Sequence, residues 1–113
     1  MKREDVIQYC LEMPNTYEDY PFPDDTLSAV AKHKDTGKWF ALIMNVKDKL
    51  YLNVKTSPDY SDILRNTYEY IIPAYHMNKE YWNTIIISEN VDCNLVKELI
   101  EQSYNLTKKR SKI

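Results

Sequence analysis

The sequence predicts a single α+β domain, and three observations carry that reading. Helical apolar spacing occurs near both ends of the chain, strand-like segments follow one another through hairpin-length connections, and the composition suits a packed core. The 113 residues are 43% hydrophobic and 28% charged, with ten tyrosines, two tryptophans and two phenylalanines. That aromatic area argues against a disordered chain, and the length suits one domain over residues 1–113. No apolar run approaches the ~20 residues of a membrane span. The opening MKREDVIQYC sets acids directly after bases, so neither a signal peptide nor a membrane partner is expected. Cys10 and Cys93 lie far apart and outside any C-x-x-C spacing, which favours a reduced, cytoplasmic setting.

Residues 3–12 read as the first helix. Val6, Ile7, Cys10 and Leu11 keep one face, and Pro14 ends it. Residues 14–25 hold three prolines and no period, so they read as a loop pinned to the core by Tyr17, Tyr20 and Phe22. Strands are expected at Leu27–Lys32, Lys38–Met44 and Lys49–Lys55. In the second, Trp39, Ala41 and Ile43 alternate against Phe40, Leu42 and Met44, so both faces are apolar and the strand is central. Gly37, the only glycine, is expected to supply a positive φ in the first hairpin. Ser57-Pro58-Asp59 opens a short helix to about Asn66: a capping serine, then proline at the first helical position. Residues 67–82 fit neither period, and Pro73 argues against a strand there. Asn83–Ser88 reads as a fourth strand, and Asp92 caps a last helix to about Thr107. Residues 108–113 read as a frayed basic tail.

The charge is uneven. Fifteen basic residues stand against seventeen acidic ones, a net charge of −2. Acids crowd residues 12–25, whereas lysines crowd 32–55 and bases return after Lys108. An acidic total counts against a strongly basic nucleic-acid binder, although distribution matters more than the sum. With one glycine, no Walker or G-x-G-x-x-G cradle can form, and no G-x-S-x-G or H-x-x-x-H occurs. No catalytic residue, metal ligand set or cofactor is therefore assigned, and an enzyme is not expected. The acids Glu4, Asp5 and Glu12, with Glu18 to Asp25 extending the patch, give only a thin ridge for a hard cation. The informative stretch is residues 71–84. It sets Tyr75, His76, Asn78, Lys79, Trp82 and Asn83 close together, polar donors beside flat aromatic surfaces.

At that stretch the sequence resembles the MmcQ/YjbR family of small bacterial proteins. Residues 73–84 read PAYHMNKEYWNT, similar to the family's PxYHMNKxxWNT. Tyr20-Pro21-Phe22 with Asp25-Thr26-Leu27 resembles its YPFG…DTL segment, and Lys38-Trp39-Phe40-Ala41-Leu42 its KMFAL strand. Leu52-Asn53-Val54-Lys55 followed by Pro58, and Ser103-Tyr104-Asn105-Leu106, resemble its LKxxPE and SYDLV segments. The resemblance implies a CyaY (frataxin)-like arrangement, with the N- and C-terminal helices packed on one face of an antiparallel sheet. It also implies binding of double-stranded DNA by a double wing of two β-hairpins. On that reading Lys32, Lys34, Lys38, Lys47, Lys49, Lys55 and Lys79 make weak, salt-sensitive phosphate contacts. The alternative is a non-enzymatic adaptor for a protein or small ligand. It would use Tyr75, His76, Asn78, Lys79, Trp82 and Asn83 as a pocket. Two departures stand out: Pro23 replaces a frequent glycine, and Lys2 replaces a frequent Ser or Thr cap, so the first helix is expected to fray.

Overall fold

A computed structural model describes residues 1–74 and 77–108. Helix α1 (Arg3–Leu11) leads into β1 (Thr16–Asp19), β2 (Ala29–His33), β3 (Trp39–Val46) and β4 (Lys49–Lys55). Helix α2 (Pro58–Thr67), β5 (Ile71–Pro73), β6 (Trp82–Ile87) and α3 (Cys93–Thr107) follow. The strands form one antiparallel sheet in the order β1-β2-β3-β4-β6-β5. No helix among the described residues is long and apolar enough to cross a membrane.

Helices α1 and α3 cover one face of this sheet. Val6 and Cys10 of α1, with Leu95, Val96, Leu99 and Ile100 of α3, pack on Ala31, Phe40, Ile43, Leu52, Val54 and Ile85. Burial pushes the Cys10 thiol up to about 12, so it stays protonated and acts as a small apolar side chain. The Lys2 side chain makes no cap, but the Asp5 carboxylate accepts the Lys2 amide at 2.8 Å and closes the first turn of α1. The expected caps of the other helices are present: Ser57 Oγ accepts from Tyr60, and the Asp92 carboxylate accepts from Asn94 and Leu95.

Four sequence-based expectations are corrected. Residues 14–25 are not all loop, because Thr16–Asp19 pair with β2 as an edge strand. Their aromatic rings do not enter the core; Tyr17, Tyr20 and Phe22 are 37–43% exposed. Pro73 does not prevent a strand. It ends the three-residue β5 on the outer edge of the sheet, where a missing N–H costs no ladder bond. Finally, the alternation along β3 is broken. Ala31 pairs with Ala41 and Lys32 with Trp39, so Phe40 is the extra residue of a β-bulge. Phe40 and Ala41 both join the helix-side core, while Trp39, Leu42 and Met44 share the opposite side.

The bulge leaves backbone groups to satisfy, and α3 supplies the partner. Ser103 Oγ donates to the Phe40 carbonyl at 2.5 Å and accepts the Lys55 amide at 2.8 Å. One buried hydroxyl thus bridges β3 and β4 beyond their last backbone pair.

Candidate functional site

The antiparallel order decides which lysines can act together. The C-terminal ends of β2, β4 and β5 meet the N-terminal ends of β3 and β6 at one end of the sheet. Lys34 and Lys38 lie in the β2–β3 connection there, Lys55 ends β4, and Lys79 lies in the β5–β6 connection. Helix α3 ends at the same place, since Thr107 Oγ1 bonds His33 Nε2 at 2.8 Å. Lys38 and Lys108 both bear on the His33 charge. Three strand spacings, about 15 Å, span β2 to β6 along this rim.

Lys47 and Lys49 belong to the opposite end, at the β3–β4 turn. The eight residues of β3 put about 26 Å between the two ends. The two lysine-bearing hairpins therefore leave the sheet in opposite directions. Lys32 is on the rim side of the sheet but is already paired. Its Nζ bonds Asp19 Oδ2 at 2.7 Å and lies 5.7 Å from the Tyr17 ring centroid. That contact raises the Lys32 pKa and lowers that of Asp19.

The aromatic and polar block divides between the rim and the interior. Tyr75 and His76 lie outside the described residues. Asn83 is 1% exposed and structural: its amide donates to Thr56 Oγ1 and Ser61 Oγ at 2.7 and 2.9 Å, and its oxygen accepts from Arg65 Nε at 2.6 Å. Arg65 also donates to the carbonyls of Lys79 and Trp82. This network fastens α2, the end of β4 and the start of β6. Asn78 Oδ1 accepts the Glu80 amide, and Lys79 Nζ donates to the Ala74 carbonyl at 3.1 Å. Both residues are exposed, and Trp82 is half-buried. Tyr81 is 39% exposed, with Lys55 Nζ 5.7 Å from its ring centroid.

The sheet face away from α1 and α3 carries a second feature. A row of cross-strand neighbours, Val30, Leu42, Asn53, Thr84 and Ile72, runs across it. Asn53 donates to the Leu42 carbonyl and accepts from Thr84 Oγ1, so the buried polar members are satisfied. The 20–28 loop and Met77 lie over part of this face and leave a cleft of about 480 Å³. Phe22, Asp25, Ser28, Trp39, Leu42, Met44 and Met77 line it. Asp25 is held rigidly: its carboxylate accepts from Ser28 Oγ, and from the amides of Leu27 and Ser28 at 3.0 and 3.1 Å. The Ser28 hydroxyl, those amides and nearby Arg3 keep its carboxyl below the ordinary range.

Among these seven residues, only Asp25 was weighed from the sequence, as the end of the acidic patch, and not as part of a cleft. The available signal was indirect. Phe22 and Asp25, Trp39 and Leu42, and Met77 come from three separate segments that carry the family resemblance, and the fold brings them to one place. Among the described residues no three His, Cys, Asp or Glu side chains group as a metal site. Glu4, Asp5 and Glu12 therefore do not come together as a three-ligand site.

A six-stranded antiparallel sheet with two helices on one face and an open cleft on the other defines an α+β domain. The family model described as YjbR matches residues 11–106, and the chain belongs to that family. It is 39% identical to the uncharacterized protein YyaQ of Bacillus subtilis, covering 96% of this chain and 99% of that one. It is 25% identical to the uncharacterized protein YjbR of Escherichia coli K12, covering 92% and 85%. Among solved structures, a Pseudomonas syringae protein superimposes with a TM-score of 0.88 at 31% identity, covering 96% of this chain and all of that one. A Deinococcus radiodurans protein with a DUF419 domain gives 0.83 at 31% identity, covering 95% and 78%.

Proposed function

We propose that the chain is a non-catalytic nucleic-acid-binding domain that contacts the phosphates of duplex DNA through one end of its sheet. The observation that supports this is the gathering of Lys34, Lys38, Lys55, Lys79 and Lys108 along that rim. Asp35 and Glu80 are the acids of the same connections, so the rim is net positive although the chain is net negative. Three further bases, Lys109, Arg110 and Lys112, follow in the sequence. Exposed Tyr81 adds a flat ring beside Lys55. Lysine point charges, with Arg65 already engaged among the described residues of this rim, suit backbone contact and not base readout. The binding is accordingly weak and independent of sequence.

The test is fluorescence anisotropy of a labelled random duplex at several salt concentrations. Log affinity should fall linearly with log salt, with a slope of magnitude up to about 4.5 for the five rim lysines. Lys34→Ala with Lys38→Ala should lower that slope by about 2. Lys47→Ala with Lys49→Ala, at the far end, should leave it unchanged. Equal losses from both pairs, or no binding at low salt, would refute the rim.

A further inference from the structure

The cleft on the second sheet face is lined by none of the rim lysines, and its chemistry is the reverse of theirs. We propose that it is a binding site for a small organic cation, an apolar ring or chain carrying an ammonium group. Its volume of about 480 Å³ falls within the range of small-molecule sites, ~300–1,000 Å³. The walls are apolar apart from Asp25 and Ser28. Phe22 and Trp39 form a corner, their rings 6.1 Å apart and inclined at 81°. Two aromatic side chains in an edge-to-face pair, with the thioethers of Met44 and Met77 nearby, favour a cation over other charged groups.

Charge selects the same class. Asp25 is the ionisable lining group, fixed by three hydrogen bonds that its loop supplies. No Lys, Arg or His among the described residues lines the cleft. Lys32, cross-strand neighbour of Trp39, is held by Asp19. Arg3 bears on Asp25, but its Nε is given to the Leu27 carbonyl at 2.9 Å and it does not line the cleft. An anion would meet that carboxylate, and no cation among the described residues lines the cleft to offset it. A neutral apolar ligand would cover that carboxylate without pairing it. An ammonium group satisfies it while its apolar part fills the space over Leu42.

Calorimetric titration with three similar probes decides the matter: phenethylammonium, 2-phenylethanol and phenylacetate. The expected order is phenethylammonium about tenfold tighter than the alcohol, with no heat from phenylacetate. Asp25→Asn should bring the cation within about twofold of the alcohol. Asparagine keeps an acceptor for the Leu27 and Ser28 amides, and a thermal melt checks that the variant folds. Trp39→Leu, which keeps the carboxylate, should weaken both ligands. Equal affinity for cation and alcohol would overturn the cation assignment, as would an Asp25→Asn variant that keeps its preference. No heat from any probe at millimolar concentration would overturn the site itself. Lys34→Ala, on the rim, should leave all three titrations unchanged.

Discussion

The Ser103 hydroxyl stands between two strands that its own helix does not belong to, and it satisfies a donor on one and an acceptor on the other. Ser103→Ala leaves both buried backbone groups unpaired and should cost about 2 kcal/mol, read as a lower urea midpoint with the slope unchanged. His33 offers a second residue-scale prediction. It is 2% exposed, packs against the rings of Phe40 and Tyr104 at 5.1 and 4.7 Å, and has its pKa lowered chiefly by burial. A depressed histidine pKa means the unfolded chain takes the proton first. The stability that His33 contributes should therefore be whole above pH 6.5 and fall as the pH drops below it. The slope is at most about 1.4 kcal/mol per pH unit. Denaturation of the chain beside His33→Gln, between pH 7.5 and 5, should show the difference shrinking on the acid side. Neither role could be read from the sequence. Ser103 and His33 look like ordinary polar residues until a bulge and a helix end arrive beside them, and Asn83 looked like a ligand donor until its partners proved internal.

At the scale of elements, strong local signals carried through. Ser57-Pro58 and Asp92 start helices where expected, and the apolar runs of β3, β4 and β6 are the sheet's centre. The misses were β1 and β5, four and three residues long on the two edges, too short to show a period. Their pairing partners, not their composition, make them strands. The two hairpins differ in strain. Gly37 takes φ +73° in the first, as its position predicts. In the second, Lys47 and Asp48 both adopt positive φ, 49° and 66°, between the paired residues Val46 and Lys49. That is the geometry for which Asn-Gly is preferred. Lys47→Asn with Asp48→Gly should stabilise the domain by about 1 kcal/mol, a rise of about 5 °C in Tm. An unchanged or lower Tm would show that the turn is not strained.

Across the whole molecule, the sheet separates opposite chemistries: a cationic rim at one end, an apolar cleft with one carboxylate on one face, and the core on the other. The core face was legible from the helix periodicity, the cleft was not, and the rim was visible only in part, because strand direction and not lysine count decides which bases share a rim. The Asp19 and Asp25 carboxyls, both lowered by their hydrogen bonds, add an acid limb to the stability profile. A depressed carboxyl pKa contributes above the unfolded value of 3.8 and loses that contribution as pH falls through the folded one. Stability against pH should thus decline in two steps, a first below 6.5 from His33 and a second below 3.8 from the two aspartates. Asp25→Asn should reduce the second step and leave the first. The two tryptophans also differ in setting: Trp39, next to Lys38 at the rim end of β3, is a wall of the cleft, and Trp82 opens β6 opposite Lys55. Each proposed site therefore carries its own intrinsic chromophore. With Trp82→Phe the emission of the protein reports the cleft, and with Trp39→Phe it reports the rim. Occupancy of either can then be followed optically, with no dye attached.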